Sequence, residues 1–225
     1  MWTDPITQAE WQAIVLSFHV AFWATLYGLP LALAVAFVLD RGRFWGRGLL
    51  SMLVYLPLVL PPVVTGYMLL VGFGPQGPLG QVLAIIGLRL PFTAAGAVLV
   101  TAVMAFPLMV RSIQVSLSHM DRGLEQAAAT LGARPLRVFC MVTFPLIWPG
   151  IVAGAALGFA KAMGEFGATI TFVSNIPGQT QTIPSAIYAL LQVPGQEGAV
   201  LRLIVLSSVL SLGALALSEY MVRRT

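Results

Sequence analysis

The sequence predicts an all-α polytopic membrane protein with about five transmembrane helices, organised as one domain over residues 1–225. Three observations predict it. Hydrophobic residues make up 58% of the chain and charged residues 9%, where a soluble domain carries roughly 25% charged residues. Mean hydropathy is +0.90. The apolar residues gather into runs long enough to cross a bilayer, which takes about 20 residues, and the basic residues cluster at the ends of those runs. So few charges cannot coat a globule in water, and the spans leave no room for a sizeable soluble domain.

The first run covers 13–39. The residues before it include Asp4 and Glu10 but no base, so they lack the positive segment of a cleavable signal, and the run is expected to stay in the mature protein. Arg41, Arg43 and Arg47 follow at once. The second run, 49–73, contains Pro57, Pro61 and Pro62 and is expected to be a bent span, since a bundle tolerates proline kinks. Residues 79–90 form an apolar stretch bounded by Gly and Pro, too short to cross, and read as interfacial. The third span is 94–115. A polar, amphipathic hairpin occupies about 119–144, the fourth span 144–166, and the fifth 199–222, closed by Arg223 and Arg224. Between the last two, 167–198 mixes hydroxyl and amide side chains with prolines. It is expected to be irregular, re-entrant or outward-facing structure.

With five spans, nine of the twelve basic residues fall on one side: Arg41, Arg43, Arg47, Arg111, Arg122, Arg134, Arg137, Arg223 and Arg224. The excess of Lys and Arg in short cytoplasmic loops then puts the N-terminus outside and the C-terminus in the cytoplasm. A sixth span drawn from 167–198 would break that agreement. The basic residues are spread along the chain without interleaved aromatics, so the +4 charge does not indicate nucleic acid. A lone Cys140 and the distant His19 and His119 offer no disulfide, metal site or cofactor ligand set.

The hairpin is the most informative segment. Asp121 suits an N-cap, and Leu124, Ala127, Ala128 and Leu131 form a stripe at helical spacing. Gly132 suits a C-terminal cap and Pro135 the first turn of a second helix. Such a stripe with basic flanks fits either a protein partner or the inner leaflet.

The block Gln126-Ala127-Ala128, with Gly132 six positions on and then Val142-Thr143-Phe144-Pro145, resembles the EAA loop of ABC importer permeases. Gln126 stands where that family commonly has Glu, with Glu125 one place earlier. Two further blocks are similar to the permease subunit of molybdate ABC transporters: Leu56-Pro57-Leu58-Val59-Leu60-Pro61-Pro62, and Gly164-Glu165-Phe166-Gly167-Ala168-Thr169 through Thr182-Ile183-Pro184-Ser185. The resemblance implies a type I-like permease fold in a bacterial inner membrane. It also implies two copies around a pore, ATPase subunits gripping the hairpins, and a periplasmic oxyanion-binding protein. The implied coupling residues are Glu125, Gln126, Ala127, Ala128, Gly132, Arg134 and Pro145. Sulfate and tungstate permeases are close relatives. No G-x-x-x-x-G-K-[ST] loop occurs, so ATP hydrolysis is expected on another polypeptide.

A tetrahedral dianion in transit needs neutral donors rather than a fixed cation. Thr169, Thr171, Ser174, Asn175, Thr180 and Thr182, with Glu165 and Pro184, are the candidate path or gate; an ordinary polar outer loop is the alternative for any one of them. Gly150, Gly154 and Gly158 give the fourth span a smooth face for close helix approach, either inside one subunit or across a dimer or pore. Lys161 and Glu165 lie one turn apart. An ionised side chain costs roughly 2.5 to 3.5 kcal/mol at the bilayer centre, so the two either reach the interface or face protein. A channel or secondary transporter that needs no ATPase is the competing class; a proton-coupled carrier would show buried Asp, Glu or His relays, and apart from Glu165 and Glu219 the spans carry no carboxylates. An intramembrane enzyme would need a nucleophile, carboxylate-pair or metal cluster, and no such pattern is present.

Overall fold

The computed structural model describes residues 6–222, in which all regular structure is helical. Arg223 and Arg224, expected to close the basic side, lie outside the described residues, as does Asp4. Helix α1 (Gln8–Arg41) starts in a capping box: Thr7 Oγ1 accepts from Glu10 N at 3.2 Å, and Glu10 returns a carboxylate oxygen to Thr7 N at 2.7 Å. Its buried positions step by three or four along Ala13, Ser17, Ala21, Ala24, Gly28, Ala32 and Ala36. This small-residue face lets neighbouring backbones approach closely.

The second apolar run does not stay one bent helix. It breaks into α2 (Arg47–Val59) and α3 (Pro62–Phe73), whose axes differ by 119°. The tandem prolines cause the break. Each disfavours helical geometry in the residue before it, and both Leu60 (ψ 144°) and Pro61 (ψ 136°) are extended. Pro57, with helix on both sides, stays inside α2. Helix α4 (Pro78–Ile85) is the short stretch expected to be too short to cross.

Helix α5 (Ala94–His119), capped by Thr93, is the most buried span. The hairpin follows as α6 (Arg122–Thr130) and α7 (Pro135–Val138). A π-turn (Phe139–Thr143) then leads directly into α8 (Phe144–Met163). The 167–198 section is more regular than its composition implied: α9 (Gly167–Val173) and α10 (Ile183–Leu190) occupy it, with a turn-rich link between them. Helix α11 (Glu197–Val222) comes last among the described residues.

Contacts between helix ends show at which end of the bundle each segment begins. Arg41, at the end of α1, pairs with Glu125 of the hairpin, so those ends lie together. Phe92, just before α5, donates its N–H to the Phe172 carbonyl of α9 at 3.4 Å, and Glu10 at the start of α1 pairs with Arg202 near the start of α11. The chain therefore enters α2 at the hairpin end and leaves α4 at the opposite end. Four helices are individually long and apolar enough to cross, and the broken α2–α3 pair brings the count to five when it is taken as one span.

Three apolar clusters hold the bundle. One, at the hairpin end, joins Ala36 and Leu39 of α1 to Met109 and Ile113 of α5 and Ile147 of α8. The second joins Ala13 and Ala21 to Met163, Ile183 and Leu203. The third sets Phe172 and Ala168 of α9 against Val100 and Met104 of α5. Helix α11 buries only Ala199, Val200, Leu203 and Ser218, leaving Leu212 and Leu217 exposed. Large exposed apolar faces of this kind suit lipid or a partner rather than water.

Candidate functional site: the hairpin and the segment after α8

Asp121 caps α6, its Oδ1 accepting from Gly123 N at 2.8 Å. The helix ends on Gly132 at φ +83°, with Gly132 N donating to the Ala129 carbonyl at 3.0 Å and Ala133 N to the Ala128 carbonyl at 3.2 Å. This bond pair is a Schellman motif, which needs a left-handed residue at that position. Arg134, exposed and extended, precedes Pro135 at the first position of α7. Pro145 has no N–H to give the Met141 carbonyl. The helix widens here, with Phe144 N donating five residues back to the Phe139 carbonyl.

No residue of α6 is buried. Leu124, Leu131, Leu136 and Met141 are 48%, 88%, 75% and 66% exposed, an apolar ridge along the hairpin. Gln126, Ala127, Gly132, Arg134 and Pro145 are exposed beside it, while Ala128 and Glu125 are half-buried. The Glu125 carboxylate turns inward: Oε2 lies 2.7 Å from Arg41 Nη1, Oε1 accepts from Arg41 Nη2 at 2.9 Å, and Thr143 Oγ1 also donates to Oε1. Arg122 donates to Asp40 at 3.0 Å.

At the opposite end, the Glu165 side chain is 1% exposed. Its Oε2 accepts from Lys161 Nζ at 2.6 Å, and its Oε1 accepts from Ala168 N at 3.1 Å, which caps α9. The pair therefore faces protein at the Glu165 end, with Lys161 partly exposed. Thr169 and Thr171 are helical, on α9, instead of in irregular chain as expected. Glu165, two residues before α9, satisfies one of the donors left free in the first turn of that helix. Thr171 Oγ1 donates to the Gly167 carbonyl, whereas Thr169 is 2% exposed with its hydroxyl unpartnered. Ser174 takes φ +64°, ψ −162°, a region ordinarily left to glycine. The Ser174 carbonyl accepts from Thr180 Oγ1, and Asn175 Nδ2 donates to the Ser185 carbonyl at 3.5 Å. Thr182 forms a capping box with Ser185, followed by the half-buried Pro184 in the first turn of α10. Ile183 N donates to Ser17 of α1 at 2.7 Å. Most of these polar groups are used to build the segment. Among the described residues no three His, Cys, Asp or Glu side chains converge as a metal site.

A family profile described as "Binding-protein-dependent transport system inner membrane component" matches residues 28–225. The chain belongs to that permease family. It is similar to the molybdenum transport system permease protein ModB of Escherichia coli K12, 51% identical over 219 residues, covering 97% of this chain and 96% of the relative. The ModB protein of Haemophilus influenzae is 53% identical over 216 residues, covering 96% and 94%. The probable sulfate transport system permease protein cysT of Chlorella vulgaris is 34% identical over 225 residues, covering 98% and 84%. Two solved structures share the fold at 18% identity. A bacterial ABC transporter involved in alginate import has a TM-score of 0.77, covering 97% of this chain and 80% of that one; the MetNI methionine ABC transporter has a TM-score of 0.69, covering 95% and 93%.

In this permease the glycine face of α8 packs on α5 of the same chain. A Cβ on Gly150 would meet Ser116, one on Gly154 the Met109 carbonyl, and one on Gly158 the Met109 side chain. Ser112 Oγ adds a hydrogen bond to the Gly150 carbonyl at 3.0 Å. Sequence reasoning took Asp40 and Arg41 only as loop charges, quoted Thr143 only as part of the block after Gly132, and passed over Ser17. The available signal for the first pair was an Asp-Arg step at a span end facing a hairpin with its own Arg and Glu.

Proposed function

We propose that this permease is the membrane-spanning subunit of an ATP-driven importer of a tetrahedral oxyanion, molybdate. It pairs with a second copy around the path, takes ATPase subunits on its hairpins and receives the oxyanion from a periplasmic binding protein. The observation that carries the reading is the hairpin itself: Leu124 on α6, a helix that buries nothing, Leu131 at its end, Leu136 on α7 and Met141 in the π-turn are all exposed, at the arginine-rich end of the bundle. An apolar ridge rimmed by charge fits a protein cleft better than it fits water. Molybdate as cargo is supported by the 51% and 53% identities to the molybdenum permeases, against 34% for the sulfate relative.

Orientation follows from charge. Arg41, Arg43, Arg47, Arg122, Arg134 and Arg137 lie at helix ends and in the connections of the hairpin end, so the positive-inside rule puts that end in the cytoplasm and the start of α1 outside. The gate residues of this reading are Thr169 on α9 and Ser174 and Asn175 just after it, in the segment against which α3 packs through Gly66. Ser174 and Asn175 are non-helical, and such backbone at membrane depth is tolerated where it is covered by protein or lines a water-filled path.

Copurification tests the docking. Co-expressed with a Walker-motif ATPase, the wild type should hold that subunit through detergent extraction. Leu124→Asp and Leu131→Asp should release it while the permease stays folded. An ATPase retained equally by all three proteins would contradict the reading.

A further inference from the structure

Glu125 is unlike the rest of α6. Its neighbours Leu124, Gln126 and Ala127 are exposed, whereas its own side chain is 17% exposed and both oxygens are engaged. The partners belong to different elements: Arg41 at the end of α1 and Thr143, 1% exposed, in the π-turn that begins the α8 span. Arg41 is itself fixed. Asp40 Oδ2 lies 3.2 Å from its Nε, and its guanidinium sits 5.7 Å from the centre of the Phe37 ring. Phe37 in turn packs edge-on against Phe139 of the π-turn, with centroids 5.7 Å apart.

The contacts close on themselves, running from Glu125 to Arg41, Phe37, Phe139, Thr143 and back to Glu125. A bidentate guanidinium–carboxylate pair fixes both distance and orientation. The π-turn is the local departure from α geometry, and such turns recur at functional hinges. Two ion pairs tie α6 to the end of α1, Arg122–Asp40 and Glu125–Arg41, and of the two only the half-buried Glu125 also bonds the start of the α8 span, through Thr143.

We propose that the Glu125–Arg41 pair is the strut that carries displacement of the docking hairpin into α1 and α8, which makes Glu125 a positioning residue facing its own chain rather than an ATPase contact. This rests on the reading that an ATPase docks on the hairpin. Neither residue is proposed to touch nucleotide or oxyanion.

The test uses the complete complex in proteoliposomes, with binding protein and molybdate, and reads molybdate imported per ATP hydrolysed. Glu125→Gln, Arg41→Ala and the double variant should each lower that ratio about tenfold, the double no further than the singles because the pair acts as a unit. Arg41→Lys, which keeps the charge but loses the fork, should fall between. ATPase copurification should stay at wild-type values throughout; the thermal midpoint should fall in Arg41→Ala, which strands the Glu125 carboxylate, and recover in the double variant, whereas the import ratio should not recover with it. An unchanged ratio in Arg41→Lys and Glu125→Gln overturns the strut, and so do single effects that multiply in the double variant. Loss of the ATPase in Glu125→Gln but not in Arg41→Ala would make Glu125 a docking contact instead. A wild-type permease that recruits no ATPase would remove the docking reading itself, which separates the two failures.

Discussion

Gly150 of α8 lies so close to Ser116 of α5 that an added Cβ would stand 2.1 Å from the serine oxygen and 2.6 Å from its Cβ. Rotating the hydroxyl relieves the first contact but not the second, so the helices must part. Gly158→Ala meets the flexible Met109 side chain at 2.8 Å, and Gly154→Ala meets Met109 and Ser112 at 3.3 Å or more. Overpacking a tight interface costs about 1 to 3 kcal/mol. Thermal midpoints of the purified permease in detergent should therefore fall most for Gly150→Ala, less for Gly158→Ala and least for Gly154→Ala. Equal midpoints for all three would contradict this packing.

Gly132→Ala probes backbone alone, because nothing lies within 4 Å of a Cβ there while φ is +83°. A left-handed conformation costs a non-glycine residue about 1 to 2 kcal/mol. Gly195, at φ +84° and equally open, gives a matched control at the other end of the bundle. Gly132→Ala should weaken ATPase copurification, and Gly195→Ala should leave it intact.

Ser17→Ala should destabilise the bundle without touching the hairpin. It strips the Ile183 N–H of its acceptor in a buried site, and an orphaned buried donor costs about 1 to 3 kcal/mol. The readout is the thermal midpoint, with ATPase copurification unchanged.

Lys161→Ala leaves the buried Glu165 carboxylate without its cation. Breaking a buried pair from one side costs about 3 to 5 kcal/mol, with the partial exposure of Lys161 pulling toward the lower figure. Glu165→Gln in the same chain should recover much of the loss, since the amide oxygen still caps Ala168 N. Folded yield after detergent extraction should rank wild type, then the double variant, then Lys161→Ala.

The span boundaries were legible because apolar runs and basic ends are properties of local sequence: 13–39 falls inside α1, and Asp121, Gly132 and Pro135 cap the hairpin as their types demand. Tandem prolines signalled a bend, but its size was set by two consecutive extended residues and by the docking of α3 on α9, where Gly66 packs against the Ala168 backbone. Helix α9 was not legible. Its N-terminal cap comes from Glu165, outside the helix, and its packing face comes from α3 and α5. The inward turn of Glu125 was hidden for the same reason, because its partner lies 84 residues away.

The most direct measurement is molybdate uptake into proteoliposomes holding the permease and its ATPase, with binding protein outside and ATP within. The account predicts accumulation against a gradient that needs all three components, outcompetes sulfate and disappears when the hairpin ridge is charged by Leu124→Asp and Leu131→Asp. Uptake at full rate without ATP or binding protein would contradict it.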